Sequence, residues 1–111
     1  MALSLPLPHD PRLQQIGDSL QVHLDDPRTL MDWSRCLGAS EKTLSRLFQR
    51  ETGLTFRAWR QRLRLLSALT LLEQGDSVTA VALGCGYDSP SAFISVFRQQ
   101  FGTTPGNFFM Y

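Results

Sequence analysis

CLGASEKTLSRLFQRETG, residues 36–53, contains a serine that can cap a helix, an apolar stripe at helical spacing and a terminal glycine. The stretch CGYDSPSAFISVFRQQFG, residues 85–102, repeats this pattern 49 residues later. The matched pairs are Cys36/Cys85, Ser40/Ser89, Leu44/Phe93, Leu47/Val96, Phe48/Phe97 and Gly53/Gly102, with Thr55/Thr104 just beyond. Caps, core positions and helix ends all recur, so the sequence predicts two copies of one unit.

Each copy is preceded by a shorter capped helix, so each unit reads as a helix-turn-helix. In the first unit, residues 10–54, a helix begins after Asp10 and a second after Thr29. In the second unit, residues 74–111, a helix begins after Ser77 and a short final turn opens at Thr104. Residues 55–73 contain neither Gly nor Pro and predict one long connector helix that is apolar on more than one side. Residues 1–9 are rich in proline and predict a linker, or the cut end of one.

The positive charge is concentrated in one part of the chain. Residues 41–64 hold seven basic residues against two acids, a net charge of +5, although the whole chain of 111 residues has a net charge of +1. A basic patch of this kind attracts polyanions. A solvated helix surface is the alternative explanation for any single run of charges.

The sequence gives little support to a catalytic or metal site. No nucleophile has a nearby base, and no glycine-rich phosphate loop follows a strand. Cys36 and Cys85 with His9 and His23 lack the short spacing of a zinc site, so we expect both thiols to be buried as small apolar residues. We therefore predict neither enzyme activity nor a cofactor. No apolar run is long enough to span a membrane, and we expect a cytoplasmic protein.

The surface stripes of the two repeated helices suit the major groove of double-stranded DNA. In a helix-turn-helix the outer stripe of the second helix meets base edges. Arg46 can bind guanine, Gln49 adenine, and Ile94 a thymine methyl group. The predicted base-reading residues are Lys42, Thr43, Ser45, Arg46, Gln49, Ser91, Ile94, Ser95 and Arg98. At each position an ordinary solvated residue is the alternative.

A second set is expected to hold backbone phosphates, through basic or amide side chains and through the amides at helix starts. These residues are Thr29, Ser40, Arg50, Arg57, Arg60, Arg64, Ser77, Ser89 and Gln99. The arginines from 57 to 64 have an alternative role, which is to bind acids within the protein. The stripe of the first unit is richer in hydrogen-bonding groups than that of the second, so we expect the first to supply most of the base reading.

RLLSALTLL (residues 64–72), GYDSPSAFISVFR (86–98) and FGTTP (101–105), together with ASEKTLSRLFQRETG (39–53), resemble the AraC/XylS family of transcription activators. The match covers most of residues 10–108. The resemblance implies an all-α, homeodomain-like fold of about seven helices, with two helix-turn-helix subdomains joined by a long central helix. It also implies that both recognition helices enter successive major-groove segments. Many relatives have Arg where this chain has Ser95, which again favours weaker reading by the second unit.

The family resemblance extends to partners. It implies recruitment of RNA polymerase, and a separate N-terminal ligand-binding or dimerisation domain that would attach before residue 10. This piece is expected to be monomeric, with dimerisation of the full-length protein left open. A helical protein-interaction module that does not bind DNA is the rival hypothesis, because Ile94 or the FFMY end could dock in a protein groove.

Overall fold

The computed structural model describes residues 4–109, and these form seven α helices. The helices are α1 (Pro11–Val22), α2 (Leu30–Leu37), α3 (Glu41–Thr52), α4 (Phe56–Glu73), α5 (Val78–Gly84), α6 (Pro90–Phe101) and α7 (Pro105–Phe108). The described residues contain no strand, which confirms the all-α prediction. None of these helices is long and apolar enough to cross a membrane.

The chain divides into two compact units inside α4 rather than at its ends. The first unit runs up to Leu63 and the second starts at Arg64. The predicted connector is therefore a single helix whose first half belongs to one unit and whose second half belongs to the other.

The core of the first unit is built around two aromatic rings. Trp59 and Phe48 are fully buried, and their ring centroids are 5.9 Å apart. A Cβ atom at Gly17 would lie 3.2 Å from the Trp59 ring, so the glycine lets α1 approach the indole closely. Burying a large apolar side chain contributes about 1.5–3 kcal/mol. The other core residues are Leu13, Ile16, Leu20, Leu30, Trp33, Leu44, Leu47, Phe56 and Leu63.

The second unit has a smaller core centred on α6. Phe93 and Phe97 are fully buried, and the Phe97 ring also packs against Phe101 at 4.6 Å and against Phe108 at 5.5 Å between ring centroids. Tilted and edge-on pairs of this kind add to the energy of area burial. Val81, Ala82, Cys85, Leu65 and Ala68 are buried as well.

The two cysteines differ, although they occupy the same place in the repeat. Cys85 follows the end of α5 and is fully buried, as predicted. The prediction was wrong for Cys36, which is exposed. α2 continues through Leu37 and buries Leu30, Trp33 and Ser34. At 100° a residue, Cys36 lies well off that buried side of the helix.

The repeated caps take the same geometry in both units. Ser40 accepts the amide N–H of Thr43 at 3.1 Å, and Ser89 accepts that of Ala92 at the same distance. α3 ends at Gly53 with φ 75° and α6 at Gly102 with φ 78°, a left-handed conformation that favours glycine. The predicted repeat is therefore a structural one.

Residues 4–9 are not helical, as the linker prediction requires, but they are held on the first unit. We call this segment the N-terminal strap. The Nε1 of Trp59 donates a hydrogen bond of 2.7 Å to the carbonyl of Pro6. Leu5 packs against the core, and Pro8 is buried. In this structure the strap is part of the first unit.

Candidate nucleic-acid interface

The predicted base-reading stripe of the first unit lies on the surface of α3. Leu44, Leu47 and Phe48 bury the inner side of this helix. The opposite stripe is therefore left to solvent, and its four residues are all exposed: Lys42, Ser45, Arg46 and Gln49. Two cations, a hydroxyl and an amide on about two turns of helix can donate to and accept from base edges.

Thr43 differs from the other residues predicted on α3. Its hydroxyl oxygen accepts a hydrogen bond of 2.9 Å from the Ser40 hydroxyl, and the side chain is partly buried. The threonine thus completes the cap of α3. Because Thr43 only accepts in that bond, its own O–H remains available as a donor, and its base contact stays a prediction.

The stripe of the second unit has a different shape. Ser91, Ser95 and Arg98 are exposed and Ile94 is partly buried. These four side chains line one depression of about 440 Å³ on α6. Two short serines beside a branched apolar residue form a shallow surface that can receive a methyl group, with Arg98 supplying a positive charge.

The predicted phosphate-binding arginines fall into two groups. Arg50 and Arg57 are exposed, and so is Gln99. Arg60 instead donates hydrogen bonds to the carbonyl oxygens of Arg28 at 2.8 Å and Asp26 at 3.4 Å. This arginine is therefore engaged within the protein, and these two bonds go to backbone carbonyls rather than to the acids of the alternative prediction.

Arg64 is partly buried in the second unit, where its charge acts on two buried groups. Burial raises the pKa of Tyr87 to about 12, and the positive charge of Arg64 opposes that rise. Burial also raises the pKa of the Cys85 thiol, again against the effect of Arg64. Arg64 is therefore close to the core of its own unit.

The helix starts differ in what they offer to a phosphate. At α2, Thr29 accepts the amide of Asp32 at 3.2 Å, and the Asp32 carboxylate accepts the amide of Thr29 at 2.9 Å. Backbone and side-chain hydrogen bonds from Thr29 lower the pKa of Asp32, so this start already holds a negative charge. Ser77 and Ser89 each cap a start without an acid in the first turn. The starts of α5 and α6 therefore suit a bound anion better than the start of α2 does.

Glu51 is an acid within the basic stretch, and it forms hydrogen bonds that its local sequence does not predict. It lies in the last turn of α3, and its Oε1 accepts the backbone N–H groups of His9 at 2.8 Å and Asp10 at 3.0 Å. Its partners are about forty residues away in sequence, so no local pattern could have identified them.

A helix-turn-helix domain model matches residues 33–110. The HTH-type transcriptional regulator NimR of Escherichia coli (strain K12) is 40% identical over 106 residues, which cover 96% of this chain and 39% of NimR. The regulatory protein PocR of Salmonella typhimurium is 35% identical over 101 residues, which cover 90% of this chain and 33% of PocR. The chain therefore spans about two fifths or less of the length of these relatives.

Solved structures resemble the fold across most of the chain. A transcriptional regulator of the AraC-type DNA-binding domain class from Chromobacterium violaceum superimposes with a TM-score of 0.78 and 30% identity, covering 87% of this chain and 88% of that one. The DNA-binding domain of the global transcriptional factor AdpA, solved in complex with a target DNA, gives a TM-score of 0.80 and 32% identity. In that comparison 90% of each chain is covered.

Proposed function

The chain belongs to the AraC/XylS family as a DNA-binding output domain of a transcription regulator, and we propose that α3 and α6 are its two recognition helices. Each would enter the major groove of double-stranded DNA with its outer stripe toward the bases. The observation that carries this proposal is the exposed stripe of α3, which has its polar and basic groups opposite three buried apolar residues.

The two helices are proposed to contribute unequally to sequence reading. On α3, Arg46 would bind guanine in bidentate fashion and Gln49 would pair with adenine, with Lys42 and Ser45 beside them. On α6, Ile94 would contact a thymine methyl group, flanked by Ser91 and Ser95. The long hydrogen-bonding side chains of Lys42, Arg46 and Gln49 favour the first unit as the one that reads most of the bases. The second unit would mainly position the domain on the DNA.

Backbone phosphates are proposed to be held by Arg50, Arg57 and Gln99, and by the amides at the starts of α3, α5 and α6. Arg98 stays among the proposed base-reading residues of α6. Phosphate roles for Thr29, Arg60 and Arg64 remain predictions. The acid at the start of α2 disfavours a phosphate at Thr29. The internal contacts of Arg60 and the partly buried position of Arg64 disfavour phosphate contacts by these two arginines.

We propose that the whole protein acts in the cytoplasm by binding an operator rather than by catalysis, and that it recruits RNA polymerase. Effector binding and dimerisation of a full-length protein would belong to a further domain, while the 111 residues of this chain would bind DNA as a monomer. HTH-type transcriptional activators RhaR and RhaS are among the relatives, which favours activation.

Selection of bound sites from random duplexes tests the proposal and also reports how many units read bases. Two motifs about one helical turn apart would mean that both α3 and α6 read bases, while a single motif would mean that one does. Affinity for the selected duplex should fall steeply as salt rises, because phosphate contacts release counterions. Absence of any enriched sequence, or binding that scarcely responds to salt, would favour the protein-interaction module instead.

A further inference from the structure

The N-terminal strap contacts three helices of the first unit through hydrogen bonds to its backbone. Besides Trp59 and Pro6, Arg62 of α4 donates to the carbonyl of Ser4 at 3.1 Å, and the Gln14 amide of α1 donates to the carbonyl of Pro8 at 3.3 Å. An extended segment has no internal hydrogen bonds, so these side chains satisfy carbonyls that would otherwise need water.

The strap reaches α3 through one carboxylate. Glu51 accepts both backbone N–H groups where the strap meets α1, and hydrogen bonds to an ionised acceptor are stronger than those between neutral groups. The amide of Asp10, followed by that of His9, holds the pKa of Glu51 below its ordinary value. Asp10 is also the N-cap of α1, where its side chain accepts the amide of Arg12 at 2.8 Å. The start of α1 and the end of α3 are thus joined at a single residue.

Resting on the proposed function, we propose that the N-terminal strap positions α3 for base reading and that Glu51 is its positioning residue. Glu51 lies two residues beyond Gln49, the last member of the base-reading stripe. Leu44 and Phe48 are fully buried, so we expect α3 to stay in the core when the strap detaches. Detachment should therefore leave the unit folded and loosen the last turn of α3, and base contacts require placement to within about 0.5 Å.

The charge of Glu51 makes the sign of its effect informative. Glu51→Ala removes a negative charge from the basic stretch, so electrostatics alone would strengthen binding to any DNA. A positioning role predicts the opposite for the selected duplex, a loss on the order of fivefold, within the range found for residues that act through others. Glu41→Ala is the matched control, because it removes the same charge from an exposed residue at the opposite end of α3 from Glu51.

Glu51→Gln is the rescue variant. Its amide oxygen can accept the same two N–H groups without the charge, so it should keep most of the specific affinity that Glu51→Ala loses. A rescue of this kind separates the acceptor from the charge. Affinity in Glu51→Gln as low as in Glu51→Ala would contradict the acceptor role.

Hydrogen exchange measures the strap without DNA. In Glu51→Ala the amides of His9 and Asp10 and the indole N–H of Trp59 should exchange faster, while the buried indole of Trp33 serves as an internal reference. Unchanged exchange would overturn the anchoring. Faster exchange with undiminished specific affinity would overturn the positioning role, and failure of the native chain to bind any duplex would instead count against the proposed function.

Discussion

The guanidinium of Arg60 donates a hydrogen bond of 2.8 Å to the backbone carbonyl of Arg28, 32 residues earlier in the chain. The same group lies 5.0 Å from the centroid of the Phe56 ring. α4 is thereby fastened to the segment between α1 and α2. An arginine that sequence reasoning places on the DNA backbone has a structural role within the first unit.

Arg60→Ala is expected to destabilise the first unit. It leaves the Arg28 carbonyl without this donor, and lost hydrogen bonds of this kind cost about 1–3 kcal/mol. Urea denaturation should show that decrease in the free energy of unfolding. Arg57→Ala, at an exposed position on the same helix, is the control and should stay within about 0.5 kcal/mol of the native protein. Equal stability of the two variants would contradict the structural role.

Arg46→Ala should relax base preference at one position of the selected site. A bidentate arginine–guanine contact discriminates by about 1–3 kcal/mol, and its loss should reduce specific affinity by that amount. Arg50→Ala removes the same charge from another exposed position on α3 and should weaken binding to all sequences about equally. Competition binding against single-base variants of the site measures both. If the two substitutions give the same profile, Arg46 is not a base reader.

Ile94 should make the second unit sensitive to a single methyl group. Replacing the thymine that faces α6 by uracil should weaken binding of the native domain by about 0.8 kcal/mol, roughly fourfold, the value of one buried methylene. Ile94→Ala should bind the two duplexes equally well, whereas Ser95→Ala should still distinguish them. Undiminished thymine preference in Ile94→Ala would exclude this contact.

Asp26 should make the stability of the first unit depend on pH. Its carboxylate accepts a 2.6 Å bond from Arg28 Nη2, and hydrogen bonding to the Arg28 side chain lowers the pKa of Asp26. A lowered pKa in the folded state adds stability that is complete above the ordinary carboxyl value and disappears as pH falls through the folded value. The stability advantage of the native protein over Asp26→Asn should therefore shrink between about pH 5 and pH 2. A difference in the free energy of unfolding between native protein and Asp26→Asn that stays constant over this pH range would contradict the prediction. Asp25→Asn, at an exposed position, is the control.

The helices could be predicted from the sequence because their signals are local. Ser40, Ser89, Gly53 and Gly102 mark starts and ends within a few residues of the atoms they satisfy. The 49-residue repeat then indicated which apolar residues of α3 and α6 face inward, and so which residues form the outer stripes. Five of the six predicted core residues are buried, and Val96 is partly buried. The exposed positions of Arg46 and Gln49 followed from helical periodicity alone.

The remaining features depend on contacts between distant parts of the chain. Nothing near Pro6 indicates that its carbonyl will accept a hydrogen bond from Trp59, 53 residues later, so the sequence predicted only a linker or the cut end of one. Arg57 and Arg60 lie in the same basic stretch, and the sequence does not distinguish them. In the structure Arg60 binds the carbonyls before α2, whereas Arg57 is exposed. Cys36 was misplaced because an apolar neighbourhood does not specify which side of a short helix a residue occupies.

Gly53 and Gly102 end α3 and α6 with the same backbone turn, and Ser40 and Ser89 begin them with the same cap. Neither the turn nor the cap depends on the outer stripe. After a duplication, such a frame lets each copy accumulate its own outward substitutions at little cost to folding. If both helices read bases as proposed, substitutions in the outer stripe of one unit should therefore change the bases which that unit reads and leave the other unit's reading intact.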